Sequence, residues 1–321
     1  MIICLGEALI DMVPCGGEAF LPLPGGSPCN TAVAIGRLGV PVKFLGRFSR
    51  DFFGEILMKR LGENGVGDDL MVRTDRNSTL AFVKLEPGRE PQYAFYTEGT
   101  ADRSFSAEDL EAKLPGGNLP PGANCLLFGS IAMTMEPAAS TIESLILSQG
   151  TRGDAAPVIS FDPNIRPFMI RNREAYVRRF ETWLSAVSIA KISTADFDFI
   201  YPGLGLEQSL ERVLSLGPVL AVSTLGAEGA AALLRRGAET LRVSAPVVDL
   251  PVADTIGAGD TFHGAFLSWL EIHGKMSRRA IAGLGTEELG EALWFANKAA
   301  SLVCSRRGAE PPTLAEVEAL K

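Results

Sequence analysis

The stretch Asp254-Thr255-Ile256-Gly257-Ala258-Gly259-Asp260 combines a turn of small residues, a carboxylate and the start of an amphipathic helix. The helix is indicated by apolar residues that recur on one face, namely Phe262, Ala265, Phe266, Trp269 and Leu270. The amides of the first helical turn have no intrahelical partners, and the helix dipole adds partial positive charge there. The stretch therefore predicts an anion-binding site, at which glycine lets the backbone approach a ligand closely.

The same residues also have a purely structural interpretation. Glycine and aspartate at the start of a helix can form a helix cap and a tight strand-to-helix connection without binding anything. The stretch alone does not separate the two alternatives, so the decision rests on the rest of the chain.

The composition is that of a globular protein without a nucleic-acid or membrane surface. The chain has 321 residues, of which 46% are hydrophobic and 21% charged, and its formal net charge is −8. This length favours one large α/β domain with an appendage, and the negative charge without a dense Lys/Arg run disfavours nucleic acid or an anionic membrane as partner. The five cysteines form no C-x-x-C pair, which predicts neither a disulfide framework nor a zinc site. With no signal peptide and no membrane-spanning run in the sequence, we expect a soluble, cytoplasmic protein.

Alternating strand and helix patterns predict a mostly parallel sheet. Ile2–Met12 is expected as a buried first strand, followed by a glycine turn and helix, a strand at Val42–Phe48 and a helix at Asp51–Asn64 capped by Asp51. Later apolar strands are expected at Cys125–Ser130, Val158–Asp162, Ile189–Ser193 and Val219–Thr224, and a hairpin at Gly229–Arg236 and Glu239–Val243. Because ligands bind at the carboxyl ends of parallel strands, the loops that carry Asp11, Asp162, Ser193 and Gly226 are expected at the site.

A region of different character interrupts this alternation. Leu70–Arg73, Thr79–Glu86 and Gln92–Tyr96 alternate between apolar and polar residues and are rich in β-branched and aromatic side chains. Turn-forming residues separate them at 75–77 and 87–91. The pattern predicts antiparallel strands outside the main sheet, whose apolar face would cover a cleft or a partner.

Four elements occur in an order and spacing that resemble the ribokinase-like (PfkB) family of carbohydrate kinases, over essentially the whole chain. They are Gly25-Gly26 with Asn30, Asp162-Pro163-Asn164-Ile165-Arg166, Thr224-Leu225-Gly226-Ala227-Glu228-Gly229 and the stretch Asp254–Asp260. Further segments are similar to the bacterial fructokinase subgroup in particular, namely 6–14, 25–30, 46–51 and Thr100-Ala101-Asp102. The 2-keto-3-deoxygluconate kinases share most of these signals.

The resemblance implies the fold and the reaction. The fold would be a three-layer α/β/α domain over residues 1–321, with a small β-sheet lid formed mainly by about 12–24 and 68–100. The activity would be ATP- and Mg²⁺-dependent phosphorylation of a sugar, with D-fructose converted to fructose 6-phosphate. Asp260 would act as general base, and the amides of Gly257, Ala258, Gly259 and Asp260 would form the anion hole.

The resemblance also implies the residues that bind the sugar. They are Asp11, Gly25, Gly26, Asn30, Tyr93, Phe95 and Arg166. Asp11 and Asn30 suit sugar hydroxyls, and Arg166 suits sugar oxygens or a carboxylate. Each type has a structural alternative: Asn30 can cap its helix, Asp11 can end a strand, and Arg166 can form a surface ion pair. The two lid aromatics are also compatible with ordinary packing.

For the nucleotide, the resemblance points to Lys191, Ser193, Thr224, Gly226, Gly229 and Asn297. Asp196 stands where many members have a glutamate associated with Mg²⁺, and the shorter side chain puts that water-mediated role in doubt. Asp254 resembles part of a monovalent-cation site, for which K⁺ is the candidate.

The sequence lacks the residues and motifs that other common catalytic sites require. His263 and His273 are the only histidines, and no G-x-x-x-x-G-K-[S/T] loop occurs, so a His-based triad, a multi-histidine metal site and a P-loop kinase are disfavoured. Two alternatives remain beside the fructokinase hypothesis: a 2-keto-3-deoxygluconate or other PfkB sugar kinase, and a sugar- or nucleotide-sensing protein without turnover. The exposed edge of the lid also suggests a homodimer.

Overall fold

Short strands of nearly continuous apolar sequence form the centre of the protein. The computed structural model describes residues 1–84 and 92–320. The strands are β1 Ile2–Leu5, β2 Leu9–Gly16, β3 Ala19–Gly25, β4 Val42–Ser49, β5 Val66–Gly67, β6 Met71–Thr74, β7 Leu80–Lys84, β8 Gln92–Tyr96, β9 Cys125–Gly129, β10 Val158–Asp162, β11 Ile189–Ser193, β12 Leu220–Thr224, β13 Ala230–Arg236 and β14 Glu239–Ala245. The expected turn at 87–91 and the end of the expected strand Thr79–Glu86 lie outside the described residues.

Helices connect these strands. They are α1 Ser27–Arg37, α2 Phe52–Glu63, α3 Ala107–Lys113, α4 Ala138–Gly150, α5 Arg173–Leu184, α6 Thr194–Ile200, α7 Leu206–Leu216, α8 Ala258–Ile272, α9 Arg278–Ala282, α10 Thr286–Cys304 and α11 Leu314–Ala319. Asp51 caps α2 as predicted, since its side chain accepts a hydrogen bond from the amide of Gly54. Within the described residues, no helix is both long and apolar enough to cross a bilayer.

The main sheet has ten strands within the described part of the chain. Nine of them follow the order β14-β13-β12-β11-β10-β9-β1-β4-β5, and β6 pairs with β4. The pairs from β12 to β5 and the β4–β6 pair are parallel, whereas β12, β13 and β14 pair antiparallel. The predicted mostly parallel sheet and its late hairpin are therefore confirmed.

Alternate residues of each central strand enter two separate hydrophobic cores, which gives the three layers. Ile2 and Cys4 pack with α1, α2, α8 and α10 on one face, whereas Ile3 and Leu5 pack with α4, α5, α6 and α7 on the other. Burial on both faces explains why these strands are nearly continuous apolar runs. The expected α/β/α architecture is confirmed.

A second sheet of four described strands lies apart from the main sheet, in the order β3-β2-β7-β8. We call it the small sheet. β2 pairs antiparallel with β3, and β7 pairs antiparallel with β8, but β2 and β7 are parallel. The register aligns Asp11 with Ala81 and Ala81 with Phe95, so these three residues form one row across the sheet.

The structure corrects three expectations about these strands. Ile2–Met12 is not one strand, because the backbone turns at Gly6, where φ is +145°, and separates β1 in the main sheet from β2 in the small sheet. Asp11 accordingly lies within β2 rather than in a loop after a central strand. Leu70–Arg73 was expected outside the main sheet, but β6 pairs parallel with β4 there. Alternating polarity indicates a strand but does not specify its partner.

Candidate functional site

The glycine turn before α8 leaves backbone donors free at the predicted place. Gly257 is the N-cap of α8 and adopts a left-handed conformation, with φ +76°. A Cβ atom there would lie 2.8 Å from Cβ of Ala309, so glycine is required. The amides of Gly259 and Asp260 donate to no protein acceptor in the described residues, whereas that of Ala258 makes a long 3.3 Å contact with the carbonyl of Thr255. These free donors can bind an anion.

The carboxylate of Asp260 is buried at this turn and held by three side-chain donors. Oδ1 accepts hydrogen bonds from Ser27 Oγ at 2.7 Å and from Asn164 Nδ2 at 3.3 Å, and Oδ2 accepts one from Asn30 Nδ2 at 2.9 Å. Asp260 itself is 7% exposed. Asn30 was predicted at the site, but Ser27 and Asn164 were not named as site residues. Their positions within two of the four elements that carry the family resemblance were the available signal.

Close packing of α1 against α8 brings these groups together. Ser27 and Asn30 are three residues apart on α1, so they lie on the same helical face. On α8, a Cβ atom added to Gly264 would lie 3.0 Å from the carbonyl oxygen of Thr31. The missing side chain therefore allows the two helices to approach closely enough for their polar groups to meet.

Asn164 is oriented from the other side by Arg166. Asn164 adopts a positive φ of 36°, a conformation that asparagine tolerates better than most residues. Arg166 donates a 2.7 Å hydrogen bond to Asn164 Oδ1 and also contacts the carbonyls of Asn164 and Ile165. The side-chain nitrogen Nδ2 of Asn164 thereby points to Asp260. Among residues 1–84 and 92–320, the guanidinium group of Arg166 thus donates to Asn164 and Ile165 and forms no ion pair.

A buried ion pair lies beneath the glycine turn. Lys191 Nζ donates a 2.9 Å hydrogen bond to Asp162 Oδ2, and both side chains are about 5% exposed or less. A Cβ atom on Gly259 would lie 3.1 Å from Lys191 Nζ, which places the ammonium group against the turn. Burial would lower the pKa of Lys191, but the charge and hydrogen bond of Asp162 outweigh it, and the net shift is upward. Lys191 is therefore a cation near the free amides. Asp162 was expected near the site but had no assigned role.

His263 packs against the same pair. Its Nε2 lies 2.7 Å from Ser160 Oγ, and its Nδ1 lies 3.8 Å from Asp162 Oδ2. Burial, followed by the charge of Lys191, moves the pKa of His263 well below its usual value. The ring is therefore neutral and completes the packing around Asp162.

Asp11 faces this centre from the small sheet. Burial raises its pKa to about 6, the charge of Arg166 opposes the shift, and that of Asp260 adds to it. A Cβ atom on Gly25 would lie 2.1 Å from Asp11 Oδ2, so glycine is needed beside this carboxylate. Phe95 shares the row of Asp11, and its ring centroid lies 5.5 Å from that of Phe168. Asp11 thus lies beside Gly25 in the small sheet, and the charges of Arg166 and Asp260 both reach it.

The remaining predicted sugar residues, Tyr93 and Gly26, lie near Asp11 and Gly25. Tyr93 lies two residues before Phe95, with ring centroids 6.0 Å apart, and its pKa is raised by burial and then by Asp11. Gly26 is the N-cap of α1 with φ +98°, and a Cβ there would lie 2.8 Å from the carbonyl oxygen of Glu7. Glu7, which was not predicted, is buried and accepts a hydrogen bond from the amide of Ala132. Burial raises the pKa of Glu7 to about 8.

Of the predicted nucleotide residues, Ser193, Thr224, Gly226 and Gly229 lie at the carboxyl ends of β11 and β12 or in the loop after β12, whereas Asn297 lies in α10. Thr224 ends β12, and Gly226 follows it with φ +59°. Gly229 has φ +92°, and a Cβ there would lie 2.2 Å from the carbonyl oxygen of Ala245. Asn297 donates hydrogen bonds to the carbonyls of Ala245 and Pro246, at 2.9 and 2.8 Å. It therefore holds the loop after β14 in place.

Both carboxylates considered for metal ions already have protein partners. Asp196 accepts from the amide of Ile165 at 2.7 Å and from the hydroxyl of Ser193 at 2.7 Å, and so fixes the start of α6. Asp254 accepts from the amides of Ile256 at 3.0 Å and Gly308 at 2.9 Å. No group of three or more His, Cys, Asp or Glu side chains suited to a metal is found among residues 1–84 and 92–320.

Comparisons with known proteins identify the family and the fold of the chain. A family model described as pfkB family carbohydrate kinase matches residues 1–315. A fructokinase from Rhizobium leguminosarum bv. trifolii is 37% identical over 297 residues, covering 90% of this chain and 85% of the relative. A fructokinase structure with bound ATP from Xylella fastidiosa has a TM-score of 0.86 at 29% identity, covering 99% of this chain and 97% of that chain. A Vibrio cholerae O395 fructokinase with fructose, ADP and calcium ion has a TM-score of 0.79 at 25% identity, with the same coverage. The chain belongs to the pfkB family of carbohydrate kinases.

Proposed function

We propose that this sugar kinase transfers the γ-phosphoryl group of ATP to a terminal hydroxyl of D-fructose. The observation that carries the proposal is the position of Asp260, a buried carboxylate held by Ser27, Asn30 and Asn164 beside the free amides of the α8 turn. A base and an anion-binding site lie side by side, as phosphoryl transfer to an alcohol requires. The fructokinase relatives favour fructose as the sugar.

In the proposed reaction, the hydroxyl oxygen forms a bond to the γ-phosphorus while the bond from that phosphorus to the bridging oxygen of ADP breaks. The hydroxyl proton moves to the carboxylate of Asp260. The amides of Gly259 and Asp260 and the ammonium group of Lys191 stabilise the negative charge on the transferred group. Asp162 keeps Lys191 under the turn, and thus acts as a positioning residue.

The sugar occupies the cleft between the small sheet and α8 in this proposal. Asp11 accepts hydrogen bonds from sugar hydroxyls, and Asn30, in the first turn of α1, forms one further hydrogen bond to the sugar. Tyr93 and Phe95 cover the sugar, with Gly25 and Gly26 leaving room for it. The small sheet acts as the lid, and its strands are Leu9–Gly16, Ala19–Gly25, Leu80–Lys84 and Gln92–Tyr96. A closed lid excludes water, which would otherwise accept the phosphoryl group.

The nucleotide lies on the other side of Asp260, along Ser193, Thr224, Gly226 and Gly229, with Asn297 supporting the adenine side through the loop after β14. Mg²⁺ bound to ATP would neutralise phosphate charge. Asp196 fits at most a contact through a metal-bound water, since its oxygens already accept hydrogen bonds from Ile165 and Ser193. Asp254 retains acceptor capacity next to the turn, which suits a K⁺ ion there.

A sugar panel tests the substrate. ADP release is measured with ATP, Mg²⁺ and fructose, ribose or 2-keto-3-deoxygluconate. We expect the highest kcat/KM with fructose. The highest value with 2-keto-3-deoxygluconate would assign Arg166 to the carboxylate of that acid and overturn the fructose assignment. Ligand-induced thermal stabilisation without ADP from any sugar would instead favour a sensing protein.

Two wider properties belong to the same proposal. The small sheet presents exposed aromatic rings away from Asp11, including Phe20, which is 41% exposed, and Tyr96, which is 63% exposed. An apolar face of this kind suits a homodimer formed through the lid, and a monomeric mass in solution would contradict it.

The five free thiols suit the reducing cytoplasm.

A further inference from the structure

The motif Thr100-Ala101-Asp102 has no part in the site described above, and the structure places it at the base of the small sheet. The hydroxyls of Thr79 and Thr100 lie 2.7 Å apart, and both contact Oδ1 of buried Asp102. Thr79 precedes β7 and Thr100 follows β8. The buried network therefore joins the two segments through which β7 and β8 connect to the main body.

A cavity of about 410 Å³ opens next to this network. Three arginines line it: Arg47 from β4, Arg76 from the segment before β7, and Arg103 from the segment after β8. Glu98 and Glu136 also line the cavity, and none of its lining residues belongs to the candidate site. Both connecting segments thus contribute a guanidinium group to one cavity, in a chain whose net charge is −8.

The contacts of these arginines leave donors for a ligand. Arg47 contributes mainly its charge, because Nη1 already donates to the carbonyl and hydroxyl of Ser104 and its buried Nε lies 3.5 Å from Asp109, so the donors come from Arg76 and Arg103. Arg76 makes a long 3.4 Å contact with the carbonyl of Gly99. Arg103 pairs with Glu98 at 3.1 Å, but the Glu98 side chain is 91% exposed, so the pair is weak and easily displaced.

We propose that this cavity binds the phosphate group of a small phosphorylated metabolite. Guanidinium groups suit phosphate because they offer paired donors in a planar arrangement. A phosphate held by Arg76 and Arg103 links the segment before β7 to the segment after β8. Binding therefore restricts movement of the small sheet relative to the main body, at a distance from the glycine turn. Free phosphate and a phosphate ester share the chemistry recognised here.

Hydrogen exchange on the full chain tests the site without relying on catalysis. In separate arms, inorganic phosphate and fructose 6-phosphate are added to the wild type and to the R76Q/R103Q variant. In the wild type we expect slower exchange in residues 75–79 and 97–104 and, separately, at the turn 257–261. In R76Q/R103Q the first effect disappears and the second remains. Protection by the ester alone would identify the ester as the ligand, and protection by both would assign recognition to the phosphate group.

Calorimetric titration supplies the affinities. R76Q/R103Q should weaken binding at this site about tenfold or more, as expected when charge-assisted hydrogen bonds are lost. Glu98→Gln should strengthen binding severalfold, because Arg103 then has no carboxylate partner. Arg50→Gln is the matched control, since Arg50 pairs with Asp75 nearby and does not line the cavity.

Two results would overturn the proposal. One is protection confined to 257–261 in the wild type with either compound. The other is equal phosphate binding by R76Q/R103Q and the wild type, with unfolding midpoints showing that both are folded.

Discussion

The carboxylate of Asp260 accepts a 2.7 Å hydrogen bond from the hydroxyl of Ser27, although 233 positions separate the two residues in the chain. This contact and the one from Asn30 fix the orientation of the carboxylate before any ligand is bound. In the proposed reaction, a carboxylate fixed in this way requires little reorganisation during proton transfer, which lowers the free energy of the transition state.

Asp260→Asn should lower kcat by about 10²–10⁴-fold, because the amide cannot accept the sugar proton. The KM for fructose should change little, since the shape of the cleft is retained. Steady-state ADP release measures both constants. Ser27→Ala is the matched control, because it keeps the base and removes one orienting bond, and it should cost about tenfold or less. Near-normal kcat in D260N would exclude the proposed base.

Asp162→Asn should lower the free energy of unfolding by about 3–5 kcal/mol, because it leaves the buried ammonium group of Lys191 without its partner. The double variant D162N/K191M should recover much of this loss, since it removes both charges. Urea denaturation gives the values. Glu207→Gln is a control on an exposed pair, because Glu207 and Arg242 are each 58% exposed, and it should cost less than about 1 kcal/mol. Equal losses of unfolding free energy in Asp162→Asn and Glu207→Gln would show that the buried pair is no more important for stability than the exposed one.

The KM for the sugar should rise as the pH falls below about 6. Burial raises the pKa of Asp11 to about 6, so the carboxylate takes up a proton there and loses acceptor capacity. Asp11→Asn should have a higher KM that no longer depends on pH in this range. Burial also raises the pKa of Asp162 to about 6. Protonation of Asp162 should therefore lower kcat at acid pH in both the wild type and the Asp11→Asn variant. A KM independent of pH in the wild type would argue against Asp11 as the sugar ligand.

The same titration predicts the stability of the Asp11 variant. The pKa of Asp11 is about 6 in the folded protein and about 3.9 in an unfolded chain, so the folded state binds the proton more tightly. The contribution of this group to stability is therefore present at low pH and is lost as pH rises through 6. Asp11→Asn should be more stable than the wild type at pH 7.5, and this gain should disappear near pH 4. Urea denaturation at the two pH values checks the sign.

Gly259→Ala should lower kcat at least about tenfold, which corresponds to about 1.4 kcal/mol. The new Cβ would lie 3.1 Å from Nζ of Lys191, and the ammonium group, held by Asp162, would be pushed away from the turn. Gly290→Ala is the matched control in α10, where the nearest atom to the new Cβ lies 3.8 Å away. It should leave kcat unchanged. Similar kcat values for the two variants would remove Lys191 and the turn amides from the mechanism.

Local signals in the sequence were sufficient for the central strands and for the turn before α8. Continuous apolar runs and glycines at required positions carry that information within a few residues. The division between β1 and β2 was missed because both strands are largely apolar and only residues 6–8, with the turn at Gly6, separate them. The placement of β6 was missed because strand partners are chosen through contacts between distant segments.

In the candidate site, too, the contacts between distant segments could not be predicted from the sequence. The motifs indicated Asp260, Asn30 and Arg166, but the orienting contacts of Ser27 and Asn164 depend on how α1, α8 and the loop after β10 pack together. The pairing of Lys191 with Asp162 likewise depends on neighbouring strands in the parallel sheet. Such contacts follow from tertiary structure and have no signature in one segment alone.

Gly264 has a consequence for the timing of events at the cleft. Because it lets α1 and α8 pack almost backbone to backbone, Ser27, Asn30 and Asp260 all belong to the main body. The carboxylate proposed as the base is therefore oriented by side chains of the main body and not by the small sheet. Under the proposed mechanism, a change confined to the small sheet can therefore alter admission of the sugar without disturbing the orientation of Asp260, whereas a change at Asn30 affects both.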